Sequence, residues 1–224
     1  MSTERWLPIE SNPDVMNSFL RKVGVPEEWE INDVFGLDDE LLQMLPQPVL
    51  ALLLLFPIND KQEQTPGSDP EQISSKVFYM KQTISNACGT VALLHSVANN
   101  TDSIKLKEGA LKEYLTDSDD KSPEKRAELL EADDAICQQH DDAAKEGQTS
   151  APGREDSVDY HFVTFVHVDG QLYELDGRKS GPVVVGLSCK ETFLKDAAGA
   201  CKQYMSRDPE NINFTVLALT AKME

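Results

Sequence analysis

Apolar residues recur every three or four positions after Asn12-Pro13, and this spacing predicts an amphipathic helix. The helix is expected to begin at this Asn-Pro pair, which caps it, and to end at Gly24. Its apolar side consists of Val15, Met16, Phe19, Leu20 and Val23. A second, short helix is predicted over residues 38–44. The eight-residue apolar run 49–56 lies between two prolines and predicts a buried strand.

Two longer helices are predicted in the second half of the chain. Ser122-Pro123-Glu124 is typical of a helix start, and Ser188 is expected to cap a later helix. The first helix would place Leu129, Leu130, Ile136 and Cys137 on one side. The second would carry Phe193, Leu194, Ala197, Cys201, Tyr204 and Met205. Cys137 and Cys201 fall on these apolar sides, which favours core packing for both thiols.

Three further strands are predicted at residues 161–168, 171–176 and 214–219. Helices and mostly antiparallel strands in mixed order indicate an α+β fold, and the length of 224 residues fits a single domain, 1–224. Residues 139–159 contain little apolar surface, so we expect a long irregular loop there. Such loops are uncommon in compact domains. It is either a lid, crossing or partner-contact loop, or an inert insert.

The charge balance narrows the range of partners. The chain has 21 Lys and Arg against 39 Asp and Glu, which gives a formal net charge of −18. This field would repel nucleic acid and anionic lipid and would attract a basic partner. The start of the sequence lacks the apolar region of a secretory signal, and the run 49–56 is too short to span a bilayer. We therefore expect neither a nucleic-acid nor a membrane partner.

The four cysteines form neither a CxxC motif nor a disulfide framework, which favours a reducing, cytoplasmic setting. Cys137 and His140 resemble half of a metal site, but no second half is visible in the sequence. We expect no metal ion and no cofactor.

Cys88 follows Ser85-Asn86-Ala87 and precedes an apolar helical pattern, which places it in the first turn of a helix capped by Ser85 or Asn86. Unpaired N–H groups and the helix dipole stabilise a thiolate there and lower its pKa. Gly89 leaves room for a substrate. A packed core thiol would fit the position about as well, so the position alone does not decide the role.

A thiolate nucleophile needs a histidine, and the chain has four. His95 lies seven residues further along the helix, about 10 Å away, too far to act as the base. His140 lies at the edge of the acidic loop, where nothing fixes it. His161 and His167 remain, and both are on the strand before Asp169-Gly170, a dipeptide that favours a two-residue hairpin turn.

The register of this hairpin selects between the two histidines. If Val168 pairs with Gln171, then Asp176 is a diagonal neighbour of His161, whereas His167 lies opposite Leu172. We therefore predict His161 as base and Asp176 as the residue that orients it; a three-residue turn would undo this assignment. In the simpler alternative, Asp176-Gly177 is only the next turn.

Gln82, six residues before Cys88, can supply a side-chain N–H to an oxyanion, and the backbone N–H of Cys88 can supply another. A glutamine before a helix is weak evidence by itself. Together with the His-Asp pair, however, it reproduces the chain order of the papain-like Cys-His-Asn/Asp arrangement.

These motifs resemble those of the ubiquitin carboxyl-terminal hydrolases of the small, single-domain type. The similarity extends over nearly the whole chain and includes RWLPIESNP, MKQTISNACGT, EGQTSAP, VHVDGQLYELDGRK and RDPENINFTVLAL. It implies a papain-like α+β fold with a central antiparallel sheet flanked by helices, and a deubiquitinating thiol hydrolase. It also implies Cys88 as nucleophile, His161 as base and then acid, Asp176 as its orienting residue, and Gln82 in the oxyanion hole.

The resemblance further implies an active-site crossover loop at 139–159 and three segments that contact ubiquitin. We expect a monomer that cleaves small adducts or short peptides from ubiquitin, and the related modifier Nedd8 is a second candidate substrate. The implied contacts are Pro8, Ile9, Glu10, Ser11, Asn12 and Pro13; Ala144, Lys145, Glu146, Gly147, Gln148, Thr149, Ser150 and Ala151; and Asn211, Ile212, Asn213, Phe214, Thr215 and Val216.

Two alternatives remain from the sequence. The chain could be a ubiquitin-binding module that holds free ubiquitin without turnover, although all four catalytic residue types are present. A lysosomal papain-type protease is disfavoured because CGT stands where that family has CGSCW.

Overall fold

The computed structural model describes residues 6–58, 67–148 and 159–223. Within these ranges the chain forms an α+β fold around an antiparallel six-stranded sheet. The strands are β1 (Trp29–Asp33), β2 (Val49–Pro57), β3 (Tyr160–Val168), β4 (Gln171–Leu175), β5 (Val183–Leu187) and β6 (Thr215–Ala221). Their spatial order is β1-β6-β2-β3-β4-β5, which places β2 and β3 in the centre.

Helices cover both faces of this sheet. They are α1 (Pro13–Val23), α2 (Asp39–Leu42), α3 (Cys88–Ala98), α4 (Ala110–Ser118), α5 (Pro123–Glu131), α6 (Asp134–Ala144) and α7 (Phe193–Ser206). A short 3-10 helix spans Pro70–Gln72. Among the described residues, no helix has both the length and the apolar character that a membrane crossing requires.

The core consists of two hydrophobic clusters that the sheet separates. The first joins the sheet to α1, α3, α4, α5 and α6, and the second joins it to α2 and α7. Along β2, Ala51 and Leu53 belong to the first cluster, whereas Leu52 and Leu54 belong to the second. Because successive side chains of a strand point to opposite faces, a strand covered on both faces must be apolar throughout. This explains the uninterrupted apolar run of β2.

Several predicted elements are confirmed. Helix α1 begins at Pro13 with the Asn12 side chain accepting a hydrogen bond from Asp14 N at 2.9 Å, and it ends at Gly24, whose φ of 109° is left-handed. The predicted strands correspond to β2, β3, β4 and β6. The predicted hairpin register is also confirmed, because Val168 pairs with Gln171 and His167 pairs with Leu172.

The single helix predicted from Ser122 is wrong, because the chain breaks into α5 and α6. The break occurs at Asp133, whose backbone is extended and whose side chain accepts a hydrogen bond from Ile136 N at 2.9 Å. Asp133 therefore caps a new helix instead of continuing the old one. The irregular loop predicted over 139–159 is wrong at its start, since α6 continues to Ala144. Residues 149–158 of that loop lie outside the described residues.

The predicted cap at Ser188 is also wrong. Helix α7 begins at Phe193, and the Ser188 hydroxyl instead donates to Asp196 Oδ2 at 2.7 Å. The sequence analysis missed α4 and both edge strands, β1 and β5. The edge strands lack a clear apolar alternation: β1 buries only Ile31 fully, and β5 buries none of its residues fully.

A side chain of α1 completes the outer edge of β1. Asn17 Nδ2 donates to Ile31 O at 2.9 Å, and Asn17 Oδ1 accepts from Ile31 N at 2.7 Å. Asn17→Ala would leave both backbone groups of the buried Ile31 without these partners. We expect the free energy of unfolding to fall by about 2 kcal/mol in urea titrations. The exposed Asn213→Ala serves as the control and should change it by less than about 0.5 kcal/mol. Equal midpoints for the two variants would contradict this prediction.

Candidate active site

Cys88 is the first residue of α3, as the sequence predicts, and it is only 7% exposed. The predicted cap by Ser85 or Asn86 is wrong, because Ala87 is the N-cap residue and provides no side-chain hydrogen bond. Asn86 instead adopts a left-handed backbone with φ 65°, which turns the chain into the helix. The first N–H groups of a helix have no intrahelical partner, so the thiol lies at the positive end of the α3 dipole.

His161 and Asp176 are joined as the hairpin register predicts. His161 Nε2 lies 2.6 Å from Asp176 Oδ1, and both side chains are nearly buried. Within the described residues, His161 Nδ1 has no hydrogen-bond partner. The Phe56 ring of β2 contacts His161 edge-on, with ring centroids 5.7 Å apart. The imidazole is thus held from one side by the carboxylate, and its second nitrogen remains available to Cys88.

The three side chains shift one another's pKa. Burial raises the pKa of the Cys88 thiol, but the interaction of the thiolate with His161 outweighs burial, and the net pKa is lowered. Burial lowers the pKa of His161, yet the hydrogen bond with Asp176 and the interaction with Cys88 raise it overall. Burial raises the pKa of Asp176, and the contact with His161 outweighs it to give a lowered value. The arrangement therefore favours a thiolate beside an imidazolium.

Gln82 lies beside the turn that follows β4. Its backbone N–H donates to Gly177 O at 2.8 Å, and its side-chain Nε2 donates to Ile84 O at 3.2 Å. Nε2 carries two hydrogens, so one N–H remains for another acceptor. Gln82 Oε1 is buried and has no hydrogen-bond partner within the described part of the chain.

His95 has a structural hydrogen-bond partner, and His167 lies in the hairpin of β3 and β4. His95 Nε2 accepts a hydrogen bond from Met80 N at 3.1 Å, and burial lowers the pKa of His95 to about 4. His167 lies opposite Leu172, as predicted.

The prediction that nothing fixes His140 is wrong. It is fully buried in α6, and its ring nitrogens lie 2.7 Å from Thr90 Oγ1 and 2.7 Å from Leu7 O. Its ring also packs on Trp6, with ring centroids 4.1 Å apart. Residues 6–58, 67–148 and 159–223 contain no group of three or more His, Cys, Asp or Glu side chains placed to hold a metal ion.

Two of the predicted contact segments, 8–13 and 144–151, lie next to each other. A Cβ built on Gly147 would come within 2.3 Å of Glu10 Oε2, and Lys22 of α1 forms an ion pair with Glu146 at 2.5 Å. Thr149, Ser150 and Ala151 lie outside the described residues. Ile9 and Ala144 are buried, so their side chains offer little surface to a partner.

The third predicted segment, 211–216, lies at the same end of the sheet as His161. Its Thr215 belongs to β6 and pairs with Leu55 of β2, whose next residue, Phe56, pairs with His161. Ile212 is 89% exposed, whereas Val216 is buried.

Sequence reasoning missed residues that surround the site. Arg178 helps to lower the pKa of Cys88, and its backbone N–H donates to Asp176 Oδ1 at 2.9 Å. The buried ion pair of Lys179 with Glu174 holds the same turn. The charged run after Asp176 was the available signal, but it also fits a solvated loop.

Taken together, a thiolate at a helix start, an imidazolium and nearby amide donors can carry out acyl transfer. The thiolate can attack a carbonyl carbon, the amides can stabilise the oxyanion, and the imidazolium can protonate the leaving group.

Comparison with known proteins places this chain in a family. The family model described as "Ubiquitin carboxyl-terminal hydrolase, family 1" matches residues 6–206. The "Ubiquitin carboxyl-terminal hydrolase" of Drosophila melanogaster is 45% identical over 98% of this chain and 99% of its own length. The "Ubiquitin carboxyl-terminal hydrolase isozyme L1" of Homo sapiens is 43% identical over 95% of this chain and 96% of its own length.

A solved structure has the same fold. The UCH37 catalytic domain of Trichinella spiralis, bound to ubiquitin vinyl methyl ester, superposes with a TM-score of 0.84 and 22% identity. The match covers 100% of this chain and 98% of the other.

The thiolate-imidazolium pair predicts how the reactivity of Cys88 depends on pH. In the intact protein, iodoacetamide should alkylate Cys88 at about pH 6, where an ordinary thiol is almost entirely protonated. His161→Gln removes the group that opposes burial most strongly, so the pKa of Cys88 should rise and the alkylation profile should move to higher pH. At about pH 6 the rate should fall by roughly tenfold or more.

Peptide mass spectrometry across about pH 5 to 9 measures this rate. The exposed Cys189 provides an internal reference, whose rate should be the same in both proteins. Identical Cys88 profiles with and without His161 would contradict the pairing.

Proposed function

The chain belongs to ubiquitin carboxyl-terminal hydrolase family 1 and is a cysteine-type deubiquitinase, and we propose that Cys88 is its nucleophile. The observation that carries this assignment is the 2.6 Å contact of His161 Nε2 with Asp176 Oδ1, which leaves His161 Nδ1 for the thiol. The substrate is ubiquitin, and the reacting atom is the carbonyl carbon of its C-terminal glycine.

The first half of the reaction forms a thioester. The Cys88 thiolate attacks the carbonyl carbon, and the carbonyl π electrons move onto oxygen. The oxyanion then re-forms the carbonyl and expels the leaving amine or thiol, which takes the proton from His161 Nδ1. Asp176 acts throughout by orienting His161 and by stabilising the imidazolium.

The second half consumes the thioester. His161, now neutral, accepts a proton from water, and the resulting hydroxide attacks the thioester carbonyl. Expulsion of sulfur restores the thiolate beside the imidazolium and releases the ubiquitin carboxylic acid, which loses its proton to water and leaves as the carboxylate. In both halves, Gln82 Nε2 and the Cys88 backbone N–H donate to the oxyanion.

Ubiquitin recognition is assigned to the segments 8–13, 144–151 and 211–216, and the crossover loop to the part of 139–159 that follows the end of α6 at Ala144. The first two segments are supported by their contact through Glu10 and Gly147, and the third by its place beside β2. A loop across the site would admit only small or extended leaving groups, so small adducts and short peptides are the preferred substrates. Nedd8 is a second candidate substrate.

The whole chain, residues 1–224, is assigned to one catalytic domain that works as a monomer. A cytoplasmic location fits the chemistry, because a nucleophilic thiol must stay reduced and no disulfide joins the four cysteines, all of which lie in the described residues.

The test of this function is release of a fluorophore from the C terminus of ubiquitin. Wild type should release aminomethylcoumarin from ubiquitin-aminomethylcoumarin, and Cys88→Ala should show no turnover while still binding ubiquitin. Cys189→Ser, which changes an exposed thiol, should retain wild-type turnover. A protein that binds ubiquitin but neither releases the fluorophore nor reacts with a ubiquitin electrophile would be a binding module instead. Equal rates on a folded ubiquitin dimer and on the short adduct would contradict the proposed preference.

Gln82→Ala tests the oxyanion assignment. Loss of one donor should lower kcat about 100-fold, which corresponds to about 3 kcal/mol of transition-state stabilisation. KM should stay within about threefold, because the ground-state carbonyl gains little from this donor. Thr83→Ala, an exposed neighbour, is the matched control and should keep wild-type kcat. A wild-type kcat in Gln82→Ala would remove Gln82 from the mechanism.

A further inference from the structure

The turn that carries Asp176 is bound to the segment that leads into Cys88. We call residues 176–179, which follow β4, the 176–179 turn. Gln82 N donates to Gly177 O of this turn at 2.8 Å, and Lys81 Nζ donates to Lys179 O. A Cβ on Gly177 would come within 2.8 Å of Gln82 Cβ, so the two backbones can meet only because residue 177 is glycine.

A tyrosine hydroxyl lies at the centre of this contact. Tyr79 Oη is 2.7 Å from Asp176 O and 2.7 Å from Lys179 O, the carbonyls at the two ends of the turn. Both carbonyls are acceptors, so the single hydroxyl proton serves one of them or is shared between them. Burial and nearby carboxylates, Asp176 first among these, raise the pKa of Tyr79, which keeps the hydroxyl protonated and able to donate.

The ring of Tyr79 is fixed by its packing against α3. It is 2% exposed and stacks on His95 of α3, with centroids 5.4 Å apart and an angle of 13° between the planes. His95 is itself fixed by the hydrogen bond from Met80 N. The position of the hydroxyl is therefore determined by the helix that carries Cys88.

We propose that Tyr79 is a positioning residue, whose hydroxyl fixes the backbone of Asp176 and thereby aims its carboxylate at His161. The inference rests on the proposed roles of Asp176 and His161. The Asp176 carboxylate has a second constraint, the Arg178 backbone N–H at 2.9 Å from Oδ1. The hydroxyl acts on the backbone side and Arg178 acts on the carboxylate side, so the two together determine where Oδ1 lies.

The turn would still form without the hydroxyl. Lys179 remains paired with the buried Glu174, which also accepts from Tyr204 Oη at 2.6 Å, and Gln82 N still donates to Gly177 O. Tyr79→Phe keeps the stacked ring and removes only the oxygen. We therefore expect a folded protein in which Asp176 is less well aimed.

Tyr79→Phe should lower kcat by about 5- to 20-fold on ubiquitin-aminomethylcoumarin, with KM within about twofold, because a misplaced orienting group weakens the transition state more than binding. The basic limb of kcat/KM should move to lower pH, because a poorly aimed carboxylate raises the pKa of His161 less. The His161–Asp176 pair is also affected by its charged and titratable neighbours. Cys88 faces His161, and Lys179 and the Arg178 N–H face Asp176.

Tyr114→Phe is the matched control. Tyr114 is similarly buried, and its hydroxyl also donates to a backbone carbonyl, Arg126 O at 3.0 Å. Since Arg126 is not in the 176–179 turn, kcat and the basic limb should be unchanged in this variant. A lowered melting temperature in both variants, with unchanged kcat and basic limb in both, would mean that Tyr79 only packs, and would overturn the proposal.

A double-mutant cycle tests whether Tyr79→Phe lowers kcat through Asp176 or by a general disturbance of the site. In the Asp176→Asn background, Tyr79→Phe should change kcat by less than about twofold, because the carboxylate that it aims is gone. The same fold-loss in both backgrounds would overturn the proposal.

Nuclear magnetic resonance titration of the His161 ring tests the proposal without turnover. In the Cys88→Ala background, where no thiol titrates with it, Tyr79→Phe should lower the His161 pKa. An unchanged His161 pKa would overturn the positioning role, whereas an inactive wild type would overturn the proposed function and leave this readout intact.

Discussion

The buried hydrogen bond between His161 Nε2 and Asp176 Oδ1 is the constraint on which the site depends. A buried carboxylate without a partner is costly, and so is a buried imidazolium, so each group is tolerated because the other is 2.6 Å away. The hairpin of β3 and β4 sets this distance through its register. A slip by one residue would turn one of the two side chains to the other face of the sheet and leave both without a partner.

The site is assembled from two halves that are distant in sequence, and the 176–179 turn joins them. The segment before α3 supplies Gln82 and the first residue of α3 is Cys88, while the hairpin and the turn after it supply His161 and Asp176. Gly177 allows these halves to approach until Gln82 N reaches Gly177 O. The same turn therefore affects the position of Gln82, the proposed oxyanion donor, and the direction of the Asp176 carboxylate, so a shift of the turn would disturb both.

Local signals explain which parts of the site could be predicted. Asp169 and Gly170 both have positive φ, the requirement of a two-residue hairpin turn, and the sequence analysis could derive the pairing of β3 with β4 from that dipeptide. His140 had no such signal. Its partners, Thr90 and Leu7, lie 50 and 133 residues away, and only the packing of α6 against α3 and against the segment before α1 brings them together. The partners of the Tyr79 hydroxyl, Asp176 O and Lys179 O, could not be predicted either, because they lie 97 and 100 residues away in the sequence.

The surroundings of Cys88 limit what can reach it. A Cβ on Gly89 would lie 3.5 Å from Ile9 and 3.6 Å from Phe162, and both of these side chains are buried. The thiol itself is only 7% exposed, so an approaching chain has little room for side chains near the reacting carbonyl. A C-terminal glycine meets that demand, because it brings a carbonyl without a Cβ. The packing that buries Cys88 therefore fits the proposed cleavage at the C-terminal glycine of ubiquitin.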